Sequence, residues 1–514
     1  MQTASQAARQ AGQGRMRPGG GMGPDSRLGL MLPSPAHMSA TTRRAETSNA
    51  ALSASERPSD EPAAPKQQRC ATMAATARRI WALYDAGTPL FTREALRSLA
   101  RQLDQHRGVR TGEGNTTVTV RGMDGKQVRL TTKSGAVSAS DAHPDIVMVN
   151  LAPQIEYWPI EKLTGVSSWH VRHFDPAHAF LPLRIGHSHE ARYRDASGVV
   201  HPGGSRTISE LASKLARQAL EPSSPALMAP TEEPMISDSQ TRRSSVDAVR
   251  ALFLRHRARW ESSTACSELR VTLSTALAPL LAPRGPAVVH KVVAFACSSM
   301  TDEREGGSAR HAVQHALVLT VRDVLARLQA SGIVGGGGGK TCDDQKDEPI
   351  RTVQVDCFAQ DPAYGAADVA VLAEHGIIVL DDPDGFLAVD ETTVVVAVAP
   401  SVPVRQIVAD LARPVAMIWG RIVVDDEGHA QKMDDFGGWS DPASPRVQAL
   451  VRDGYYAEWP FLQDSENNFG TVEGVAVYVR KPPPAAAAIW GASWLQRLQQ
   501  TWLRPWKAED HAVK

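Results

Sequence analysis

A chain of 514 residues is long enough for two or three folded units, and its 42% hydrophobic content can bury a substantial core. Its 56 basic residues balance 56 acidic ones, so no long-range field draws a polyanion and nucleic acid is not an expected partner. The five cysteines (Cys70, Cys266, Cys297, Cys342, Cys357) lack any CxxC pair, which points to a reducing compartment without a structural zinc site, and no run of roughly 18 apolar residues offers a transmembrane segment.

Residues 1–75 are rich in Ala, Gly, Ser, Pro and Gln without apolar periodicity, and are read as a disordered leader. Arg9, Arg15 and Arg17 precede the first acid, Asp25, as in an organelle transit peptide. The PGGGMGP run at 18–24 breaks the amphipathic helix such a peptide needs. Folding is expected to start near Ala74, opening a region over 76–240 that holds helices, a hairpin and a linker. Its two helical stretches run through IWALYDAGTPLFTREALRSLARQL, with Thr92 capping the second and Leu96, Leu99 and Leu103 on one face. Val118 and Val120 then face Val128 and Leu130 across Asp124-Gly125, a hairpin signal. Residues 134–240 carry little legible pattern and close on a linker at EPSSPALMAPTEEP.

A helical pattern resumes at Ser245 with Val249, Leu252, Phe253, His256 and Trp260 on one side, and continues through Leu269, Leu273 and Leu277. Apolar runs then alternate with turn residues at βαβ spacing. They predict strands near 290–296, 353–358, 376–380, 393–399 and 414–419, with helices near 308–329, 364–375 and 403–412. The Gly335–Gly339 run marks a flexible loop. The fold class is therefore α/β, a Rossmann-like three-layer sandwich with a mostly parallel sheet over 245–480, beside a smaller N-terminal α+β region.

KVVAFACSSM, CFAQDPAY, the stretch GIIVLDDPDGFLAVDETTVVVAVAPSVPVRQIVADLARPVAMIW and DPASPRVQALV together resemble the sensitivity-to-red-light-reduced family, the SRR-like domain, in its fungal form. The resemblance spans about 245–480, and IWALYDAGTPLFTREALR is similar to the leader of fungal members. It implies a Rossmann-like domain in regulatory proteins, tied to light and circadian signalling in plants and to growth or cytoskeletal phenotypes in fungi, with no known reaction. Two departures stand out. The family's Gly-Leu-Gly-Ser-like loop is Ala296-Cys297-Ser298-Ser299 here, and its Pro-His-Cys segment is Pro400-Ser401-Val402.

Candidate ligand-binding residues sit where the predicted strands end. Ser298 and Ser299 follow the first strand ahead of a helix whose N-terminus could hold an anion, although Ser308 also reads as a plain helix cap. Gln360, Asp361 and Tyr364 follow the second strand, where an acid could meet a ribose and a ring cover a base. Structurally, Asp361 would orient the turn, Pro362 start the next helix and Tyr364 pack on it. Ser401 lies at the equivalent end of the fourth strand, beside Pro403 at a helix start.

Other groups favour plain readings. His311 and His315 share a helix face but lack an HExxH glutamate, so hydrogen-bonded or half-exposed histidines are expected rather than metal ligands. His170, His173, His178, His187 and His189 have no regular spacing and read as a surface loop, while Asp381, Asp382, Asp384, Asp390 and Glu391 read as turn caps. In the segment 485–514, Trp490, Trp494, Leu495, Leu498 and Trp502 form one helical face. That face would dock on the parent domain, enter a partner's groove, or lie on a membrane surface. No cofactor is named by these residues. The expected function is a non-enzymatic regulatory or interaction protein, cytoplasmic or nuclear, with a nucleotide- or S-adenosylmethionine-using transferase as the alternative.

Overall fold

The structure, a computed structural model, describes residues 66–107, 114–135, 137–139, 146–165, 174–194, 200–201, 238–281, 287–301, 307–334, 354–424, 441–461 and 474–481. Most of the expected leader, the linker after 220 and the C-terminal tryptophan segment lie outside these residues.

Among the described residues a seven-stranded sheet organises the chain from Lys291 onward. Its strands are β7 (Lys291–Phe295), β8 (Asp356–Gln360), β9 (Ile377–Val379), β10 (Thr393–Ala397), β11 (Ala416–Gly420), β12 (Tyr456–Pro460) and β13 (Val475–Arg480), in the spatial order β12-β13-β11-β10-β7-β8-β9. Counted from β7 the order is 3-2-1-4-5-7-6, with a reversal of direction at the first strand and β13 as the one antiparallel member. The sequence reading places β7 through β11 correctly in kind. It does not contain β12 and β13, which pair with each other and join the sheet through β11.

β10 shows why this is a central strand. All five of its residues are buried, and it is flanked in parallel by β7 and β11. Successive side chains point to opposite faces: Val394, Val396 and Val398 enter one core while Val395 and Ala397 enter the other. The first core is closed by α4 (Asp238–Glu261), α5 (Thr264–Leu281), α6 (Gly307–Val334) and α7 (Ala366–Glu374), through residues such as Phe253, Trp260, Leu273, Leu317 and Val371. The single helical run expected from Ser245 to Leu277 is two helices, parted at Ser262-Ser263, where the Ser263 hydroxyl caps α5 by accepting the N–H of Cys266.

The opposite core is built jointly by the α/β unit and the N-terminal region. α8 (Asp384–Ala388), α9 (Val404–Leu411) and α10 (Pro445–Arg452) share it with α1 (Lys66–Asp85) and α2 (Arg93–Arg107), which contribute Ile80, Tyr84, Leu96, Leu99 and Leu103. α1 begins at Lys66, ahead of Ala74, and already buries Met73. Thr92 caps α2 as expected, its Oγ1 accepting the Ala95 N–H at 3.1 Å. The hairpin β1 (Gly114–Arg121) and β2 (Gln127–Ser134) pairs Val118 with Leu130 and Val120 with Val128, as read.

A four-stranded antiparallel sheet fills much of the stretch that carries little sequence pattern: β3 (Val137–Ala139), β4 (Ile146–Tyr157), β5 (Leu183–Arg194) and β6 (Val200–His201). A register shift between Asn150 and Pro153 interrupts the alternation by which β4 would have been recognised. The short helix α3 (Ile160–Thr164) ties this region to α9: Gln406 accepts the Ile160 N–H at 3.1 Å and donates to Glu161 at 2.7 Å.

Candidate functional site

The carboxyl ends of parallel strands, at the point where the strand order reverses, are where open α/β sheets take ligands. Here β7 delivers the loop Ala296–Thr301 to that edge. Ala296 and Ser298 both adopt left-handed backbone, with φ of 56° and 58°, a conformation costing non-glycine residues of order 1–3 kcal/mol each. Two carboxylates hold the loop in it. Asp361, just beyond β8, accepts the Ser298 N–H at 2.8 Å and the Ala363 N–H at 2.9 Å. Asp368, fully buried in the first turn of α7, accepts the Met300 N–H at 2.8 Å, the Ser299 hydroxyl at 2.7 Å and the Gly365 N–H at 2.9 Å. Ser299 Oγ in turn accepts the Thr301 N–H at 3.0 Å.

These bonds decide the electrostatics of the edge. N–H groups that would cradle a phosphate at Ser298, Met300 and Thr301 already have acceptors, and two of the three acceptors are carboxylates. A phosphate would meet negative charge in its own binding position. Burial pushes the Asp361 carboxyl up from its ordinary range, against the Ala363 and Ser298 N–H groups that pull it down.

Behind the loop, α6 supplies two buried histidines. His311 Nδ1 lies 2.8 Å from the Ser299 carbonyl. His315, wholly buried, directs Nδ1 at the His311 carbonyl at 2.6 Å, so Nε2 is left to accept the Tyr364 hydroxyl at 2.9 Å. Burial pulls His315 down to about 4 and pushes Tyr364 well up, so both are neutral at ordinary pH. Cys297 is buried and its thiol is pushed far up, first by burial and then by Asp361, so it carries no thiolate nucleophile. Of the hydrogen-bonded or half-exposed alternatives expected for these histidines, both take the first and both are buried.

Gln360 closes the second strand end. It donates to Asp382 at 2.8 Å and accepts the Gly385 N–H at 2.7 Å; a Cβ at Gly385 would fall 2.6 Å from its Oε1, which is why glycine stands there. Asp382 also accepts the Tyr157 hydroxyl at 2.6 Å, bringing β4 of the N-terminal region to this edge. Ser298, Ser299, Gln360, Asp361 and Tyr364 thus form a contiguous set. Ser401 does not join it: it is exposed after β10 and makes no hydrogen bond among the described residues. The turn over Asp361–Gly365 precedes α7, so Pro362 does not start the helix, and Ser308 lies within the first turn of α6 rather than capping it.

Sequence reasoning missed Asp368 and Tyr157. An acid at the third position of a helix is a capping signal, which Asp368 fulfils toward Gly365; its reach to Ser299 and Met300, distant in sequence, has no local sign. The histidine-rich stretch is not a single surface loop: His187 is buried in β5 beside the Thr132 hydroxyl, and His178 pairs with Asp175 at 3.0 Å, while His170 and His173 lie outside the described residues. Asp390 caps the turn at Thr392 and Thr393 as expected, and also pairs with Lys291 at 2.7 Å. Among the described residues no group of three or more His, Cys, Asp or Glu side chains is placed to hold a metal, and no helix is long and apolar enough to cross a membrane.

A family model for the SRR1 domain matches residues 279–464, and that segment is an SRR-like domain. No curated protein and no solved structure matches the chain significantly.

Proposed function

We propose that this protein uses its SRR-like domain as a regulatory and interaction domain without catalytic turnover. The observation that carries the reading is the closed hydrogen-bond circuit at the strand ends: Asp361 and Asp368 consume the N–H groups and the Ser299 hydroxyl that a cofactor would need. A group that is already bonded inside the protein adds little to ligand affinity, because binding must first break that bond. The apolar face of Trp490, Trp494, Leu495, Leu498 and Trp502 is the proposed partner-binding element. The test is a thermal-shift panel of NAD, ATP and S-adenosylmethionine at about 1 mM. No Tm shift beyond about 1 °C is expected, whereas a ligand near 100 times its Kd would stabilise by about 2.7 kcal/mol. A shift in the wild type that disappears in Asp361→Asn overturns the reading.

One observation favours a second reading, a transferase using S-adenosylmethionine. The doubly wound 3-2-1-4-5 core offers the ligand crevice of open α/β sheets. Carboxylates along it suit a cationic or hydroxyl-bearing ligand better than a phosphate. In the same panel, a shift with S-adenosylmethionine but not with ATP separates this reading from a nucleotide enzyme.

A further inference from the structure

The hairpin of β1 and β2 has two unlike faces. Inward, Val118, Val120 and Leu130 are buried in the core shared with α2. Outward, β1 presents Thr117, Thr119 and Arg121 and β2 presents Arg129, Thr131 and Lys133, all exposed, with Asn115 and Gln127 at the ends. The outward face thus carries three cations and neither an acid nor an aliphatic or aromatic side chain. In a chain whose basic and acidic residues balance at 56 each, that is a local excess of one sign.

Among the described residues nothing neutralises this excess. Arg121, Arg129 and Lys133 form no ion pair there, and the hairpin's own pair, Lys126 with Asp124 at 3.6 Å, lies in the turn. Arg121 donates its Nε to the Gly125 carbonyl at 3.3 Å, while its two terminal nitrogens make no hydrogen bond among the described residues. Arg121 stands opposite Gln127, so Arg129 is its diagonal neighbour across the strands. Long side chains reach each other at that separation, and like charges paired across strands cost stability. Charge on an exposed strand guards against edge-to-edge pairing, but mixed signs would serve that end without the repulsion.

The cations are spaced as side chains are in an extended peptide. Alternate residues of a strand stand about 6.8 Å apart, so Lys133 and Arg129 are about 14 Å apart with Thr131 between them, and Arg121 lies one step beyond Arg129. A peptide running extended along the ribbon repeats its own side chains at that interval. Carboxylates at every second position fall on the cations together, and the remaining row offers the Thr117 and Thr131 hydroxyls, 3.0 Å apart. Arginine forks match carboxylate geometry. The face has no ring on which a nucleobase could stack and no apolar side chain to enter a bilayer.

We infer that the outward face of the β1–β2 hairpin is a docking surface for an extended acidic segment of a partner protein, whose alternate carboxylates are taken by Arg121, Arg129 and Lys133. The inference is independent of the function proposed for the strand ends, since the two surfaces share no residue. It also differs in kind from the tryptophan face, because it selects charge rather than apolar side chains.

Fluorescence anisotropy of a labelled alternating Glu-Thr peptide as long as β2, titrated with the full chain at about 50 mM salt, tests it. A Kd of about 10–100 µM is expected, weakening about tenfold at about 300 mM salt. The Gln-Thr isostere should bind at least about tenfold more weakly, and a peptide of the same composition with its glutamates in one block about threefold more weakly. Arg129→Glu should weaken the alternating peptide about tenfold or more at unchanged Tm. Lys133→Glu, at the other end of the face, decides the matter if Arg129→Glu does not fold. No peptide binding at about 1 mM, equal affinity for the Glu and Gln peptides or for the alternating and blocked ones, or unchanged affinity in the folded variant overturns the inference. Binding of oligothymidylate of equal charge, or of phosphatidylserine vesicles, as tight as that of the peptide overturns it too.

Discussion

Asp410 Oδ2 accepts the backbone N–H of Leu90 at 2.7 Å, joining positions 320 residues apart. The same carboxylate takes the Phe91 N–H at 3.1 Å, and Arg446 Nη1 donates to its other oxygen at 3.0 Å. Arg446 also lies over the Tyr84 ring, 3.8 Å from its centre. One buried acid on α9 therefore fixes the turn between α1 and α2 against the sheet. Asp410→Ala should strand two N–H groups and a guanidinium together, at a cost of about 3–5 kcal/mol. Urea denaturation measures it, and a loss under about 1 kcal/mol would show that the N-terminal helices do not depend on this contact.

Protonation of His315 gives a second expectation. Its pKa falls from 6.5 to about 4 on burial, so the unfolded chain takes up a proton before the folded one does. The stabilisation is fully present above about pH 6.5 and is lost as pH falls toward 4, amounting to about 3 kcal/mol. His315→Gln should flatten the stability profile over that window. Parallel profiles for variant and wild type would contradict the burial of a neutral imidazole.

Asp361 has the opposite sign. Its folded pKa is raised above the ordinary 3.8, so its contribution is greatest below that value and declines as pH rises through the folded pKa. Stability measured upward from pH 3.8 should decline more in the wild type than in Asp361→Asn. An Asn variant that instead declines more steeply than the wild type would reverse the assignment.

Tyr364→Phe removes the donor that satisfies His315 Nε2 and leaves a buried acceptor empty. A loss of about 1–3 kcal/mol is expected, read by thermal or urea unfolding. Wild-type stability in this variant would mean that Tyr364 faces the crevice as a ligand contact.

Val396→Asp places a charge between β7 and β11 on the α5/α6 side of the sheet, where the wild-type residue is fully buried. The cost should reach about 4 kcal/mol or more, and failure to fold would agree with it. A soluble variant with unchanged Tm would remove β10 from the centre of the sheet.

Legibility in the sequence followed the range of the interactions. β7, β8 and β10 announce themselves through buried apolar runs such as VVVAV, and the 118–130 hairpin through Asp124-Gly125. By contrast β12 (YAEWP) is a mixed strand without a clear apolar run, and β13 carries a buried run, Val475–Val479, that the sequence reading does not take as a strand. At the candidate site the strand-end positions of Ser298 and Asp361 follow from the βαβ pattern. The closure of the loop does not, because Asp368 reaches Ser299 across 69 positions. Its buried polar circuit is a property of tertiary packing, and local sequence carries no trace of it.

The order of the strands in space bears on how the chain is made. β13 lies between β11 and β12, yet it is the last of the three to be synthesised. Translation thus delivers β12 before the neighbour it needs, at ribosomal rates of roughly 5–20 residues per second. The sheet edge at β11 stays open until residue 480 has cleared the exit tunnel. A premature stop between β12 and β13 would leave that edge unpaired, an invitation to pairing with other chains.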